Sequence, residues 1–158
     1  KEGLGIEKQP VTASLYKLLI YEKGGFFKTH KDSEKEPGMF GTLVIGLPSR
    51  HTGGVLRVRF GGREEAFDFS AMASEHRLPF AAFFADCDHE LLPVTSGHRV
   101  SLVYNLLQPP GAEPLGSTTF SQQTGQLVPL LKELESSFEN KPLAVLLGHQ
   151  YTPANFSL

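Results

Sequence analysis

The chain has 158 residues, of which 40% are hydrophobic and 20% charged, and its formal net charge at pH 7 is -2. This length suits one domain with its own core, and the composition excludes a disordered or fibrous protein. The small net charge offers no attraction to nucleic acid or an anionic membrane, and no apolar run is long enough to span a bilayer.

The cysteine content and the N-terminal residues indicate a cellular compartment. A single cysteine, Cys87, excludes an internal disulfide, and nothing near Lys1 has the layout of a secretory signal. Both features favour a reducing, intracellular compartment, with the cytoplasm as the first candidate. Because the chain begins at Lys1 without an initiator methionine, we expect it to be a piece of a longer protein.

The first half of the chain consists of short segments in which apolar residues recur at every second position, separated by glycine and proline. Such alternation predicts antiparallel β-strands rather than helices. In the first segment, one face is expected to carry Leu15, Lys17, Leu19 and Tyr21. A charged stretch, residues 31–38, predicts a solvated turn.

Further strands follow at a regular spacing along the chain. They are expected at Phe26–His30, Phe40–Leu47, Gly54–Phe60, Glu64–Phe69, Phe80–Asp86 and Arg99–Leu107. Glycine or proline marks the turns between them. Many short strands at this spacing predict a mainly β fold of the sandwich or jelly-roll type.

The last third of the chain has a different pattern. Residues 108–125 are rich in proline, glycine, serine and threonine, which predicts a long surface loop. Residues 126–140 have helical spacing of their apolar positions, Leu127, Leu130, Leu131, Leu134 and Phe138. This segment predicts a helix flanking the β domain on its outside, and residues 142–147 predict one more buried strand.

Three residues could together bind a metal ion. His30 and Asp32 end an extended segment two residues apart, where alternate side chains leave on the same face. His89 closes another extended run, residues 83–89, and could supply the third ligand. Two histidines and a carboxylate on one face of an octahedron leave three positions open, as in the non-haem Fe(II) oxygenases. A His-x-Asp pair alone is usually a surface feature, so the assignment needs further support.

That support comes from an arginine ten residues after His89, at the start of the next strand. Arg99 and Ser101 alternate with apolar residues, so the two polar side chains share one face. An inward-facing arginine is costly unless it meets an anion. The planar guanidinium matches a carboxylate, and the serine hydroxyl can complete the hydrogen bonding.

Three segments of the chain match a known family in content and order. They are residues 21–32 (YEKGGFFKTHKD), 52–56 (TGGVL) and 89–101 (HELLPVTSGHRVS). Together they resemble the prolyl 4-hydroxylase-like branch of the 2-oxoglutarate/Fe(II)-dependent dioxygenases, over about residues 15–105. The resemblance implies a double-stranded β-helix and a single dioxygenase domain over residues 1–158, with residues 108–125 as a loop and 126–158 outside the matched region.

The resemblance also implies roles for individual residues. The ligands of Fe(II) would be His30, Asp32 and His89. The residues that contact 2-oxoglutarate would be Arg99, Tyr21, Ser101 and Thr42. Arg99 would anchor the distal carboxylate, and no catalytic side chain is expected beyond the metal centre. Many relatives carry a co-substrate tyrosine further along the strand of Thr42, where this chain has Ile45 and Gly46.

The activity implied is hydroxylation of an unactivated C–H bond with Fe(II), 2-oxoglutarate and dioxygen. The expected substrate is a protein or peptide side chain, proline first; the sequence does not predict the oligomeric state. Two alternatives remain open, a non-catalytic β-helix binding module and a zinc hydrolase with the same ligands. The arginine and serine pair favours the dioxygenase, because a hydrolytic site needs no anchor for a dicarboxylate.

The remaining histidines and the cysteine have simpler interpretations. His98 alternates to the face opposite Arg99 and is expected near the surface, although it is the alternative to His89 as distal ligand. His51, His76 and His149 lie near turns without a ligand-spaced partner. Cys87 is expected to be a small buried side chain.

Overall fold

The computed structural model describes residues 4, 6, 10–70, 78–110 and 125–133. Within them the strands are β1 Thr12–Tyr21, β2 Phe27–His30, β3 Met39–Gly46, β4 His51–Gly53, β5 Leu56–Phe60, β6 Arg63–Phe67, β7 Phe80–Phe84, β8 Asp88–Leu91, β9 Val94–Gly97 and β10 Arg99–Leu107. A helix, α1, spans residues 125–133. The mainly β fold predicted from the alternation is therefore present.

The strands form two four-stranded antiparallel sheets and a two-stranded ribbon. The first sheet has the order β1-β10-β3-β7, the second has the order β2-β8-β5-β6, and β4 pairs with β9. The buried core joins residues of both sheets, Val44, Leu56, Val58, Phe69, Ala81, Phe83, Cys87 and Leu91. Two sheets that share one core in this way form a jelly roll, with the inner faces available to build a site.

A bulge in β1 corrects the prediction for that strand. Lys17 pairs with Val103 of β10, but Leu15 pairs with Tyr104, so one residue is extra between them. An extra residue turns the preceding side chains to the other face. Leu15 is accordingly 59% exposed, and its predicted position on the face of Lys17 was wrong.

The predicted extended run over residues 83–89 was also wrong. Strand β7 ends at Phe84, residues 85–87 form a turn, and β8 begins at Asp88. The amide of Cys87 donates to the carbonyl of Phe84 at 3.0 Å, which closes the turn. Aspartates favour such turns because their side chains compete for backbone hydrogen bonds. His89 therefore reaches the site from the second residue of β8. Cys87 itself is buried, as predicted.

The charged loop over residues 31–38 is more than the solvated turn that its composition predicted. The amide of Asp32 donates to the carbonyl of Ala85 at 3.2 Å. The carboxylate of Glu36 accepts hydrogen bonds from Ser14 of β1 and Asn105 of β10. The loop is thus fixed to the first sheet, and charge in the sequence alone does not reveal that attachment.

The end of the described chain agrees in part with the sequence analysis. Helix α1 confirms the predicted helix as far as residue 133, but its apolar residues Leu127, Leu130 and Leu131 are exposed. The rest of that helix, the strand predicted at residues 142–147 and most of the predicted loop lie outside the described residues. Within the part of the chain that is described, no helix has the length and hydropathy required to cross a membrane.

Candidate metal and co-substrate site

The pairing of β2 with β8 brings the candidate metal ligands together. His30, the last residue of β2, pairs directly with His89 of β8. Asp32 follows β2 by two residues, and one ligand atom from each of the three side chains lies within 4.8 Å of the others. Nε2 of His89 is 3.7 Å from Oδ2 of Asp32. The three residues singled out in the sequence are therefore neighbours in space.

Backbone carbonyls orient both histidine rings. Nδ1 of His30 lies 2.9 Å from the carbonyl oxygen of Lys28, and Nδ1 of His89 lies 3.1 Å from that of Cys87. Because a carbonyl only accepts, each Nδ1 must carry the proton and donate. This leaves the lone pair of each Nε2 available, which is the arrangement of a metal-binding histidine with a fixed tautomer.

The carboxylate of Asp32 is held by a threonine of the first sheet. The hydroxyl of Thr42, a buried residue of β3, donates to Oδ2 of Asp32 at 2.6 Å. Such a bond fixes the orientation of the carboxylate, whose Oδ2 also lies 3.7 Å from Nε2 of His89. The family resemblance implies that Thr42 contacts 2-oxoglutarate. That role stays a prediction, and the contact seen is with Asp32.

The surroundings of His89 keep its ring neutral. The rings of Phe83 and Phe27 have their centroids 4.8 and 5.7 Å from that of His89. Burial lowers the pKa of His89 below its ordinary value, and the hydrogen bond to the carbonyl of Cys87 opposes this only in part. A neutral imidazole is the form that binds a metal ion.

Arg99, the first residue of β10, is buried. It is 2% exposed, and its Nη1 donates to the hydroxyl of Ser101 at 2.8 Å. Among the described residues, its Nε and Nη2 have no hydrogen-bond partner. Burial lowers the pKa of Arg99, yet a guanidinium stays protonated in proteins. A buried cation with unpaired donors is costly, so the position suits a carboxylate.

Tyr21 completes this end of the site from the neighbouring strand. It pairs directly with Arg99 in the β1–β10 register. Burial raises the pKa of the Tyr21 hydroxyl, although the nearby charge of Arg99 partly offsets the effect. The phenol is therefore neutral at physiological pH and can donate a hydrogen bond to an anion bound by Arg99.

One cavity joins the candidate metal ligands to the arginine. Its volume is about 170 Å³, and its polar walls include His30, Asp32, His89, Thr42, Tyr21 and Arg99. The remaining lining is mostly apolar, from both sheets. Ser101 is fully buried behind Arg99. A ligand could thus reach the metal position at one end and the guanidinium at the other.

The other histidines lie away from this cavity where the structure describes them. His98 has a side chain 63% exposed and lies 3.9 Å from Glu22, so the alternative of His98 as the distal ligand is wrong. Nδ1 of His51, in β4, contacts the carbonyl of Ser49. His76 and His149 are outside the described residues.

Two residues that contact or pair with site residues were not predicted from the sequence. Asn105 is 1% exposed and pairs with Thr42 across β10 and β3. Gly54 packs against the side chain of Arg99. The alternation that predicts inward positions for Arg99 and Ser101 continues to Asn105, so the sequence could have identified Asn105 as an inward-facing residue. The contact of Gly54 depends on the packing of distant segments.

Comparison with known proteins identifies the family. The model of the 2OG-Fe(II) oxygenase superfamily matches residues 16–107, more than half of the chain. The chain belongs to this superfamily. The resemblance seen in the sequence and the predicted jelly-roll fold are both confirmed. The superfamily is one of oxidoreductases, and its cofactors are Fe(II) and 2-oxoglutarate, with dioxygen.

Two solved structures are similar to the chain, and the first of them shares its fold. One is an oxidoreductase of the 2OG-Fe(II) oxygenase family from Burkholderia pseudomallei, with a TM-score of 0.53 and 21% identity over 70% of this chain and 51% of that one. Another is a prolyl-4-hydroxylase from Pseudomonas putida, with a TM-score of 0.43 and 22% identity over 62% and 52%. The chain spans about half the length of either. No curated protein matches it.

Proposed function

We propose that residues 1–158 form a single domain of a hydroxylase dependent on Fe(II) and 2-oxoglutarate. His30, Asp32 and His89 would hold the iron, and Arg99 would hold the distal carboxylate of 2-oxoglutarate. The observation that carries the proposal is the pair of unused donors on buried Arg99, in the same cavity as three ligand atoms within 4.8 Å of one another.

The donor set fits iron. Two neutral imidazoles and one carboxylate are the ligands typical of non-haem Fe(II) oxygenases. When bound, iron and 2-oxoglutarate would supply, together with dioxygen, the oxidising chemistry that hydroxylates a C–H bond. The chain positions the three ligands: backbone carbonyl groups orient both imidazole rings, and Thr42 holds the carboxylate of Asp32.

At the Arg99 end of the cavity, several hydrogen-bond donors of the chain can bind a carboxylate. Nε and Nη2 of Arg99 are both available, which allows two charge-assisted hydrogen bonds. The hydroxyl of Ser101 accepts from Nη1, so its own proton remains free to donate. The neutral phenol of Tyr21, on the paired strand, is positioned beside them.

For the substrate we propose a protein or peptide side chain, with proline as the first candidate. The support is the likeness of residues 21–32, 52–56 and 89–101 to the prolyl 4-hydroxylase-like branch. His30 is exposed and His89 is buried, so we expect a peptide to approach the cavity from the side of His30.

The test is release of succinate from 2-oxoglutarate by the purified chain, with and without Fe(II) and with a proline-containing peptide. We expect succinate only with iron, more of it with the peptide, and a mass increase of one oxygen atom in the peptide. His30→Ala should abolish all three signals, whereas His98→Ala, the matched control outside the cavity, should retain them.

Other outcomes would favour the competing functions. Hydrolysis of an ester by the zinc-loaded chain, without binding of 2-oxoglutarate, would indicate a zinc hydrolase. If neither iron nor zinc binds at micromolar concentration, the chain would be a β-helix binding module without a metal centre. Succinate release that the proline peptide leaves unchanged would keep the dioxygenase and remove proline as the first substrate.

A further inference from the structure

The loop that carries Asp32 is attached to the first sheet at a second point. Four residues after Asp32, the carboxylate of Glu36 accepts a hydrogen bond from Nδ2 of Asn105 at 2.6 Å. Its other oxygen accepts from the hydroxyl of Ser14 at 3.0 Å. Glu36 thereby connects the loop to both β1 and β10.

The two attachment points are adjacent on the sheet. Thr42, which binds Asp32, and Asn105, which binds Glu36, are direct partners in the β3–β10 register. Both are buried, at 4% and 1% exposure. One cross-strand pair thus holds two acidic side chains of the same loop.

The nature of the bonds indicates a geometric role. Both side chains that bond to Glu36 are neutral, so the carboxylate forms no ion pair through them. A hydrogen bond that involves a charged group is stronger than a neutral one, and the buried amide of Asn105 requires a partner. Between the two anchors, the side chains of Ser33 and Lys35 are exposed, and the backbone amide of Lys35 lies 3.4 Å from Sδ of the buried Met39.

We propose that Glu36 is a positioning residue of the metal centre, acting through the loop on the carboxylate of Asp32. The inference rests on the proposed iron site. Glu36 itself does not bind the metal; its bonds to Ser14 and Asn105 keep Asp32 where it can reach the ion together with His30 and His89. Groups that orient a ligand in this way typically change metal affinity by about 10- to 100-fold when they are removed.

Co(II), whose visible absorption reports coordination geometry, is a suitable probe for the test. The wild-type chain, Glu36→Ala and Glu36→Gln are titrated with Co(II), with Glu65→Ala, an exposed carboxylate of β6, as the control. We expect Glu36→Ala to weaken Co(II) binding about tenfold and to alter the absorption bands. Glutamine should restore both, since its carbonyl can accept from Asn105 and its amide can donate to Ser14.

Several outcomes would overturn the inference. Glu36→Ala with wild-type affinity and spectrum would show that the loop holds Asp32 without this anchor. Glu36→Gln as impaired as Glu36→Ala would assign the effect to charge rather than position. If Glu36→Ala does not fold, Ser14→Ala removes one of the two bonds at the edge strand, and an unchanged spectrum there would also contradict the proposal. Failure of the wild-type chain to bind Co(II) would instead refute the metal centre of the proposed function.

Discussion

Gly54 lies directly against the side chain of Arg99. A Cβ atom at Gly54 would be 2.9 Å from Cδ of Arg99 and 3.0 Å from a methyl group of Val94. The backbone at Gly54 also has a φ of +67°, a left-handed conformation that residues with a Cβ atom rarely adopt. The glycine therefore leaves room for the arginine to extend into the cavity, and the position of the proposed carboxylate anchor depends on it.

Gly54→Ala is expected to weaken binding of 2-oxoglutarate by about tenfold, because the new methyl group displaces the guanidinium that the carboxylate must meet. Gly62→Ala is the matched control. Its φ is +79°, but no atom of the described residues lies within 4 Å of the added Cβ, so Gly62→Ala has the backbone strain without the contact. Calorimetric titration of both variants measures the difference, and equal affinities would mean that the position of the Arg99 guanidinium does not depend on Gly54.

Arg99→Lys should weaken 2-oxoglutarate binding well over tenfold while iron binding survives. A lysine offers a point charge where the guanidinium offers paired hydrogen bonds, and loss of such a buried partner costs about 2 to 5 kcal/mol. Ser101→Ala removes one neutral hydrogen bond and should cost about 1 kcal/mol. The measurement is a titration of 2-oxoglutarate into the iron-loaded chain under nitrogen. The same affinity in wild type and both variants would reopen the choice among dioxygenase, hydrolase and binding module.

Asp32→Ala should abolish Fe(II) binding without unfolding the chain, because Asp32 lies in a loop outside the packed core. Thr42→Val, which removes only the hydroxyl bonded to Asp32, should reduce iron affinity by about tenfold. Thr52→Val is the control, since that hydroxyl bonds to Thr95 and Ser96 away from the cavity. Anaerobic iron titrations compare the three. A Thr42→Val variant that loses 2-oxoglutarate affinity but keeps iron affinity would support the co-substrate role instead.

The metal-free chain should lose stability as the pH falls below about 6.5. Burial lowers the pKa of His89 in the folded chain below its ordinary value of 6.5, so the unfolded chain takes up the proton first. The stability that this group contributes is complete above 6.5 and is lost as the pH falls from 6.5 towards the lowered pKa.

Thermal melts with a chelator, between pH 7.5 and 5.5, measure this dependence. His89→Asn should show a smaller decrease in melting temperature over that range than the wild-type chain, and His98→Asn serves as the control at an exposed histidine. An identical decrease in the wild-type and His89→Asn chains would show that His89 does not contribute to the pH dependence.

The residues of the candidate site could largely be named from the sequence. The spacing of His30 and Asp32, and of Arg99 and Ser101, predicts shared faces because side chains alternate in any extended segment. That rule is local, and the structure agrees with it in both cases. The family followed from three short segments in order, and the match over residues 16–107 confirms it.

Other features depended on contacts between distant strands. The bulge that turns Leu15 outward follows from the register of β1 with β10, which the local pattern does not determine. The hydrogen bond between Glu36 and Asn105 joins segments 69 residues apart, which meet only when β3 pairs with β10. Alternation in one strand determines which side chains point inward, whereas hydrogen-bond partners and unpaired donors are decided only when the sheets pack together.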